Sequence, residues 1–240
     1  VVAQDYRSDA LAWAVERLWN EGIVVVAAAG NNGTDARMLD MPADDPFVIA
    51  AGASDTQNTV DPRDDRVADF SSRGSRWRTP DVVAPGTSVV SLRVPGSTLD
   101  TEFSGARVDG RFFRGSGTSQ AAAVTSGLVA RLLSAKPWLN PDQVKAVLTQ
   151  SAVDLPDRRV AEGFGRIDLR RALAQPTPDP DAVVQRFAPA QLDLDKLRRE
   201  LDDDDPEMGP GAQWNGRRWS GRRWSGRRWS GATWIDDSGN

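Results

Sequence analysis

Apolar residues recur along this chain in two rhythms that take turns. Between Ser8 and Gly22, Leu11, Val15 and Leu18 return at intervals of three and four, the spacing of one helix face. Ser8 can cap that helix and Gly22 can end it. Ile23-Val24-Val25-Val26-Ala27-Ala28-Ala29 then runs apolar without interruption, as a strand buried on both faces of a parallel sheet does. Phe47 to Ala51 reads as a second short strand. Val82–Val83 and Val89–Leu92 are further strand candidates, parted by a turn at Pro85-Gly86. A helix from Ser119 to about Ser134 carries Ala121, Ala122, Ala123 and Gly127, small enough for close packing. Asn140-Pro141-Asp142-Gln143 opens another helix, with a capping asparagine, proline at the first position and glutamine placed for a capping box. Helices alternating with strands predict an α/β fold, a parallel sheet flanked by helices.

The alternation fades after Leu173, which divides the chain into a folded part (1–173), a Pro/Asp-rich linker (174–213) and a tail (214–240). Pro176, Pro178, Pro180 and Pro189 punctuate the linker, and Asp202 to Asp205 is an acidic run of the kind that stays solvated. In the tail Trp214, Trp219, Trp224, Trp229 and Trp234 recur every five residues, with Arg217, Arg218, Arg222, Arg223, Arg227 and Arg228 between them. Period five fits neither a helix face nor a strand face, so the tail is expected to be largely disordered. Its cations and rings suit an anionic surface polymer, a membrane interface or nucleic acid, and the acidic run offers an internal partner. The net charge of −4 gives the folded part no signature of a nucleic-acid binder. With no cysteine, disulfides and thiolate metal sites are excluded, and no apolar run is long enough to span a bilayer.

Two motifs carry candidate chemistry. Gly115-Ser116-Gly117-Thr118-Ser119-Gln120-Ala121-Ala122-Ala123 delivers a serine to the start of a long helix, where unpaired N–H groups and the helix dipole favour negative charge. A nucleophile beside a forming oxyanion needs those surroundings, although Gly-x-Ser before a helix also makes an ordinary cap. The strand ending at Ala29 stops at Gly30-Asn31-Asn32-Gly33. Ligands of open α/β sheets bind beyond such strand ends, and an asparagine there can aim an N–H at a substrate carbonyl. A plain turn is the other reading, since Asn-Gly tolerates positive φ.

Together with Pro42 to Ser54, Phe70-Ser71-Ser72-Arg73-Gly74, Asp81-Val82-Val83-Ala84-Pro85-Gly86 and Gly163-Phe164-Gly165-Arg166-Ile167-Asp168, these segments resemble the subtilisin-like serine peptidases, the subtilases. The likeness covers about Ser8 to Leu173 and keeps the family's motif order. It implies a subtilisin-like sheet, Ser119 as nucleophile, and an oxyanion hole made of the Asn31 side chain and the Ser119 N–H. Ala28, Ala29 and Gly30 would form one wall of the pocket for the residue that contributes the scissile carbonyl. Secretion or display at the cell surface, and protein or peptide substrates, follow from the family alone.

The chain contains no histidine. Subtilases order their catalytic residues aspartate, histidine, asparagine, serine, so the likeness puts the first two before Val1 and predicts an inactive C-terminal part of a catalytic domain. Asp5, Asp9 and Asp35 lie outside the family's aspartate motif and are not candidates. A non-catalytic scaffold that binds anionic surfaces through its tail is the alternative function. A nucleotide-binding protein using Gly30-Asn31-Asn32-Gly33 is disfavoured, because no phosphate-loop pattern accompanies it. Two residues depart from the family: Ala123 replaces a common proline and Gln120 a common methionine. Met41–Pro42 aligns with a cis bond of subtilisins and is expected to be cis. No cofactor is needed for the chemistry. Structural calcium is common in the family, sometimes on carbonyls near Asp44 and Asp45, but no residue here is assigned as a metal ligand.

Overall fold

The computed structural model describes residues 5–35, 38–157 and 159–195. The Trp/Arg repeat and the acidic run lie outside the described residues.

The first helix, α1 (Ala10–Asn20), is capped by Asp9, whose carboxylate accepts from the N–H groups of Leu11 and Ala12. Ser8 instead belongs to a single 3-10 turn, Tyr6–Ser8, just before it. The buried face of α1 is Ala12, Val15, Glu16 and Trp19, while Leu18 stands exposed. The expected apolar stripe was therefore rotated by about one position, because Trp19 outweighs Leu18 in the area it buries. Gly22, with φ of 87°, ends the helix as expected.

Strand β1 (Val26–Ala28) occupies only the middle of the long apolar run, and Ile23 at its head is exposed. It pairs in parallel with β2 (Ile49–Asp55), matching Val26 with Ile49 and Ala28 with Ala51. A two-residue strand, β3 (Arg66–Val67), joins β2 in antiparallel fashion, and β4 (Val82–Pro85) pairs with β2 in parallel, Ala51 against Val82 through Ser54 against Pro85. The central strand β2 is almost wholly buried. Its small side chains let helices approach both faces: Ile49 and Ala53 join one apolar cluster and Ala50 another.

A second sheet was not legible. β5 (Val89–Leu92), β6 (Arg107–Val108) and β7 (Phe112–Gly115) form an antiparallel sheet in the order β5-β7-β6, with the short helix α2 (Thr98–Glu102) between β5 and β6. Leu92 is exposed, so β5 reads as a strand from its branched residues but not as core.

Helix α3 (Thr118–Ala135) buries Thr118, Ala121, Thr125, Leu128, Val129 and Leu132, a single 3.6-residue stripe. That stripe packs on β1, β2 and β4. Helix α4 (Pro141–Ser151) starts with the capping box expected of Asn140 and Gln143. α5 (Arg159–Glu162), α6 (Leu169–Ala174) and α7 (Pro180–Val183) complete the described helices.

Residues 175–191 lie along the domain and tie α1 to α4. Gln143 Nε2 donates to Pro178 O at 2.8 Å, and Gln185 Nε2 donates to Phe47 O at 2.9 Å and to Asp142 Oδ1 at 3.0 Å. Phe187 packs edge-on against Phe47, and the Ala190 N–H donates to the buried carboxylate of Glu16. Proline and aspartate content makes this stretch read as a linker in sequence, because its contacts reach residues far away in the chain and leave no local signal.

Candidate active site

The C-terminal ends of β1 and β4 meet at the N-terminus of α3. From β4, the chain turns at Gly86, whose carbonyl accepts from the Gly117 N–H at 2.8 Å. A Cβ on Gly86 would lie 2.5 Å from Ala53 Cβ and 2.9 Å from Gly117 O, so only glycine permits this approach. Gly117 caps α3 with φ of 151° and no side chain of its own. A Cβ there would intrude on Gln120 Oε1 and come within 3.6 Å of Asn31 Nδ2. This glycine thus keeps space open beside the Asn31 amide.

Asn31 follows β1 directly, and Thr118 decides how its amide is turned. The Thr118 N–H donates to Asn31 Oδ1 at 2.9 Å, and the Thr118 hydroxyl donates to the same oxygen at 3.0 Å. The hydroxyl accepts in turn from the Gly30 N–H at 3.1 Å. A backbone N–H can only donate, so the amide end facing Thr118 must be the oxygen. The Nδ2 end is therefore presented away from Thr118, and Asn31 is exposed. Ser119 is the second residue of α3 and half-buried. Among the described residues, neither its hydroxyl nor its N–H has a hydrogen-bond partner. The Asn31 amide nitrogen and the Ser119 N–H and hydroxyl therefore stand open around one helix terminus.

The three residues expected to wall the pocket stand together at the end of β1. Ala29 and Gly30 are buried and Ala28 half-buried at the end of β1. Beside them sit residues that sequence reasoning missed. Asn32 Nδ2 donates to Asp40 Oδ1 at 3.0 Å, the Asp40 N–H donates to Ala29 O, and the Asn32 N–H donates to Ser72 Oγ. Thr118 was missed as well, although its place immediately before the serine was a usable signal. Met41–Pro42 is cis, as expected from the likeness.

The loop at Asp44 and Asp45, where calcium was considered, does not fit that ion. Its carbonyls already face side-chain cations. Arg78 donates to Ala43 O at 3.1 Å, Asp45 O at 3.0 Å and Val48 O at 3.3 Å, and pairs with Asp81 at 3.0 Å. Lys145 Nζ donates to Pro46 O and, at 2.9 Å, to Val48 O, and lies 3.3 Å from Asp81. Calcium wants six to eight oxygens free to ligate it. Among the described residues no group of three or more His, Cys, Asp or Glu could hold a metal.

These buried charges are strongly coupled. Burial alone would raise the Asp81 carboxyl, but Lys145 and Arg78 outweigh it and hold it below the usual range. Burial pushes Lys145 down to about 8 despite Asp81. Burial pushes Asp45 up to about 7, with only the Phe47 N–H and the two distant cations opposing it.

Residues 3–166 match the family model described as the Subtilase family. The chain belongs to the subtilase family. Among relatives it is 43% identical over 145 residues to the serine protease AprX of Bacillus subtilis, an overlap of 59% of this chain and 33% of that protein. It is 37% identical over 152 residues to subtilisin DY of Bacillus licheniformis, covering 62% and 47%. Among solved structures it is similar to fervidolysin from Fervidobacterium pennivorans, described as a keratinolytic enzyme related to subtilisin (TM-score 0.56, 31% identity, 69% of this chain and 24% of that one). It is similar too to the patellamide maturation protease PatA (TM-score 0.55, 30% identity, 71% and 58%). The chain spans about a third to a half of the length of these two curated relatives. Among the described residues no helix is long and apolar enough to cross a membrane.

Proposed function

We propose that this chain forms the nucleophile-and-oxyanion half of a subtilisin-type serine endopeptidase. Ser119 Oγ attacks the scissile carbonyl of a protein or peptide. Charge then develops on the carbonyl oxygen and is met by the Asn31 Nδ2–H and the Ser119 N–H. Collapse expels the amine and leaves an acyl group on Ser119, which water removes by the same route in reverse. Ala28, Ala29 and Gly30 bound the space for the residue that donates the carbonyl.

One observation carries the reading. Thr118 clamps Asn31 Oδ1 with two donors and so turns the amide nitrogen outward at the helix terminus that holds Ser119. Such preorganised donors act where charge appears and need no rearrangement at the moment of reaction.

A serine hydroxyl also needs a base, and these 240 residues contain no histidine. The histidine and its orienting aspartate are assigned to polypeptide outside them, and the chain alone to an inactive state. A fluorophosphonate probe, which reports an activated serine, tests this assignment. The 240-residue chain should resist labelling, and a form that includes the base should be labelled at Ser119. Stoichiometric labelling of the chain by itself would show that the roles are misassigned. Export from the cell and contact of the tail with an anionic polymer belong to the same proposal. The first rests on family and the second on tail composition. A chain that binds such a polymer but never gains activity when the missing residues are supplied would favour the scaffold reading.

A further inference from the structure

Residues 175–191 follow the stretch that matches the family and are tied to the domain along their length. Near the start of this strap Gln143 Nε2 donates to Pro178 O at 2.8 Å. Near its end the Gln191 N–H donates to Arg7 O at 2.8 Å and the Tyr6 hydroxyl to Ala188 O at 2.9 Å. Between them Gln185 and Phe187 close on Phe47. Two buried carboxylates border the strap. Glu16, on the buried face of α1, accepts the Ala190 N–H on its two oxygens at 2.8 and 2.9 Å. Asp45 is fully buried, and its Oδ1 accepts at 2.9 Å from the N–H of Phe47, the residue that the strap grips. Among the described residues neither carboxylate forms an ion pair. Arg78 and Lys145, the cations that act on Asp45, are paired with Asp81 instead.

The surrounding charges do not relieve these carboxylates. The turn before α1 brings Tyr6, Asp5 and Arg7, and the last two are paired with each other. The loop brings Asp44, whose carboxyl burial also raises. Helix α4 brings Asp142, which accepts from Trp19 and Gln185. On α1 itself Arg17 lies over Trp13, and Arg186 of the strap is exposed. We propose that residues 175–191 form a pH-dependent latch, docked while Glu16 and Asp45 carry protons and released, with the chain that follows, once both are ionised. Docking does not need the charge, because a protonated carboxyl still offers an oxygen to the Ala190 N–H. Ionisation places two like charges near each other without a counter-ion, and lifting Ala190 and Phe187 away lets water reach them. The direction follows from burial, which raises Glu16 despite the Ala190 N–H and carries Asp45 to about 7, with the charge of Glu16 adding to the rise. The docked state therefore holds protons that the released state gives up. Docking is complete in acid and is lost as pH climbs toward and past about 7.

The latch is independent of the roles given to Ser119 and Asn31. Hydrogen exchange of the full chain from pH 5 to pH 8, expressed as protection factors so that the intrinsic pH dependence drops out, tests it amide by amide. The Ala190 and Gln191 amides should lose about tenfold in protection across that range, as a local opening linked to proton release does. The Ala50 N–H donates to Asp81 at 2.7 Å and should keep its protection, which separates release of the strap from unfolding of the domain. Glu16→Gln retains an acceptor for the Ala190 N–H but cannot ionise, and should hold the strap at pH 8. Asp45→Asn should do so in part. Trypsin gives a second reading at the bond after Arg186. Relative to a free peptide of the same sequence, cleavage there should be about tenfold faster at pH 8 than at pH 6, and Glu16→Gln should remove most of the difference. Weak protection of Ala190 already at pH 5, a flat profile, or a loss shared by Ala50 overturns the latch. So does a native profile that persists in both variants. If Glu16→Gln does not fold, Asp45→Asn and the native profile decide in the same way.

Discussion

The two polar clusters of this molecule treat their hydrogen-bonding groups in opposite ways. Around Arg78, Lys145 and Asp81, the donors converge on carbonyls and carboxylates, and every charge has a partner. At the head of α3, Asn31 Nδ2 and the Ser119 N–H and hydroxyl are turned toward space. The first arrangement serves the fold, because a buried charge is tolerated only when it is matched. Under the proposed function the second serves a ligand, which would meet the donors that the helix terminus leaves open.

The sharpest way to break the contrast is to unmatch the first cluster. Arg78→Leu leaves three loop carbonyls and Asp81 with one cation fewer, and should cost about 3–5 kcal/mol of stability, the penalty for breaking a buried pair. Denaturant unfolding of the chain measures it, and a loss below 1 kcal/mol would mean that the cluster is not holding the loop. The second cluster should respond in the reverse sense. In a form carrying the general base, Asn31→Ala should lower kcat by about 10²- to 10³-fold, the usual worth of one oxyanion donor, with the melting temperature scarcely moved. Thr118→Val removes the hydroxyl that orients Asn31 and should lower kcat by about tenfold at constant KM, as misplacement of a catalytic group does. If Asn31→Ala costs stability but no rate, the amide is structural and the contrast collapses.

The smallest effect concerns Asp45, which interrupts the pattern: its Oδ2 is buried and has no hydrogen-bond partner among the described residues. Its pKa is raised from an ordinary 3.8 to about 7, chiefly by burial. Across that interval the native state holds a proton that the unfolded chain has released. Stability from this group is therefore highest below about pH 4 and is lost as pH rises to about 7. Asp45→Asn should abolish that slope and gain on the order of 1 kcal/mol at neutral pH. Thermal melts from pH 4 to 8 should show the two proteins diverging, whereas parallel curves would mean that Asp45 does not titrate in this range.

Much of the frame was legible because it is local or periodic. The capping box at Asn140 and Gln143, the extent of α3 and the strands β1 and β2 follow from spacing and propensity, although Ala123 and Gly127, expected to pack closely, are exposed. The motifs at Asn31 and Ser119 were visible because glycines crowd around them. Other features were hidden because their meaning depends on residues distant in the chain. Arg78 looks like any surface arginine until the loop at 43–48 folds over it. Asp40 looks like a solvated aspartate until Asn32 and Ala29 close on it. β6 and β7 were missed because short exposed strands carry a weak apolar alternation.

By itself the sequence determined that an apolar α/β core exists, that a serine opens its long helix, and that the chain has no histidine to serve as base. These are properties of composition and short-range order, set by side-chain chemistry and a few rotatable bonds. Only the tertiary structure decided which end of the Asn31 amide faces outward, which cations fill the carbonyl loop, and where the Asp40 charge stands. Each depends on hydrogen bonds between groups far apart in sequence, and such bonds have a direction only after the sheet and α3 have packed.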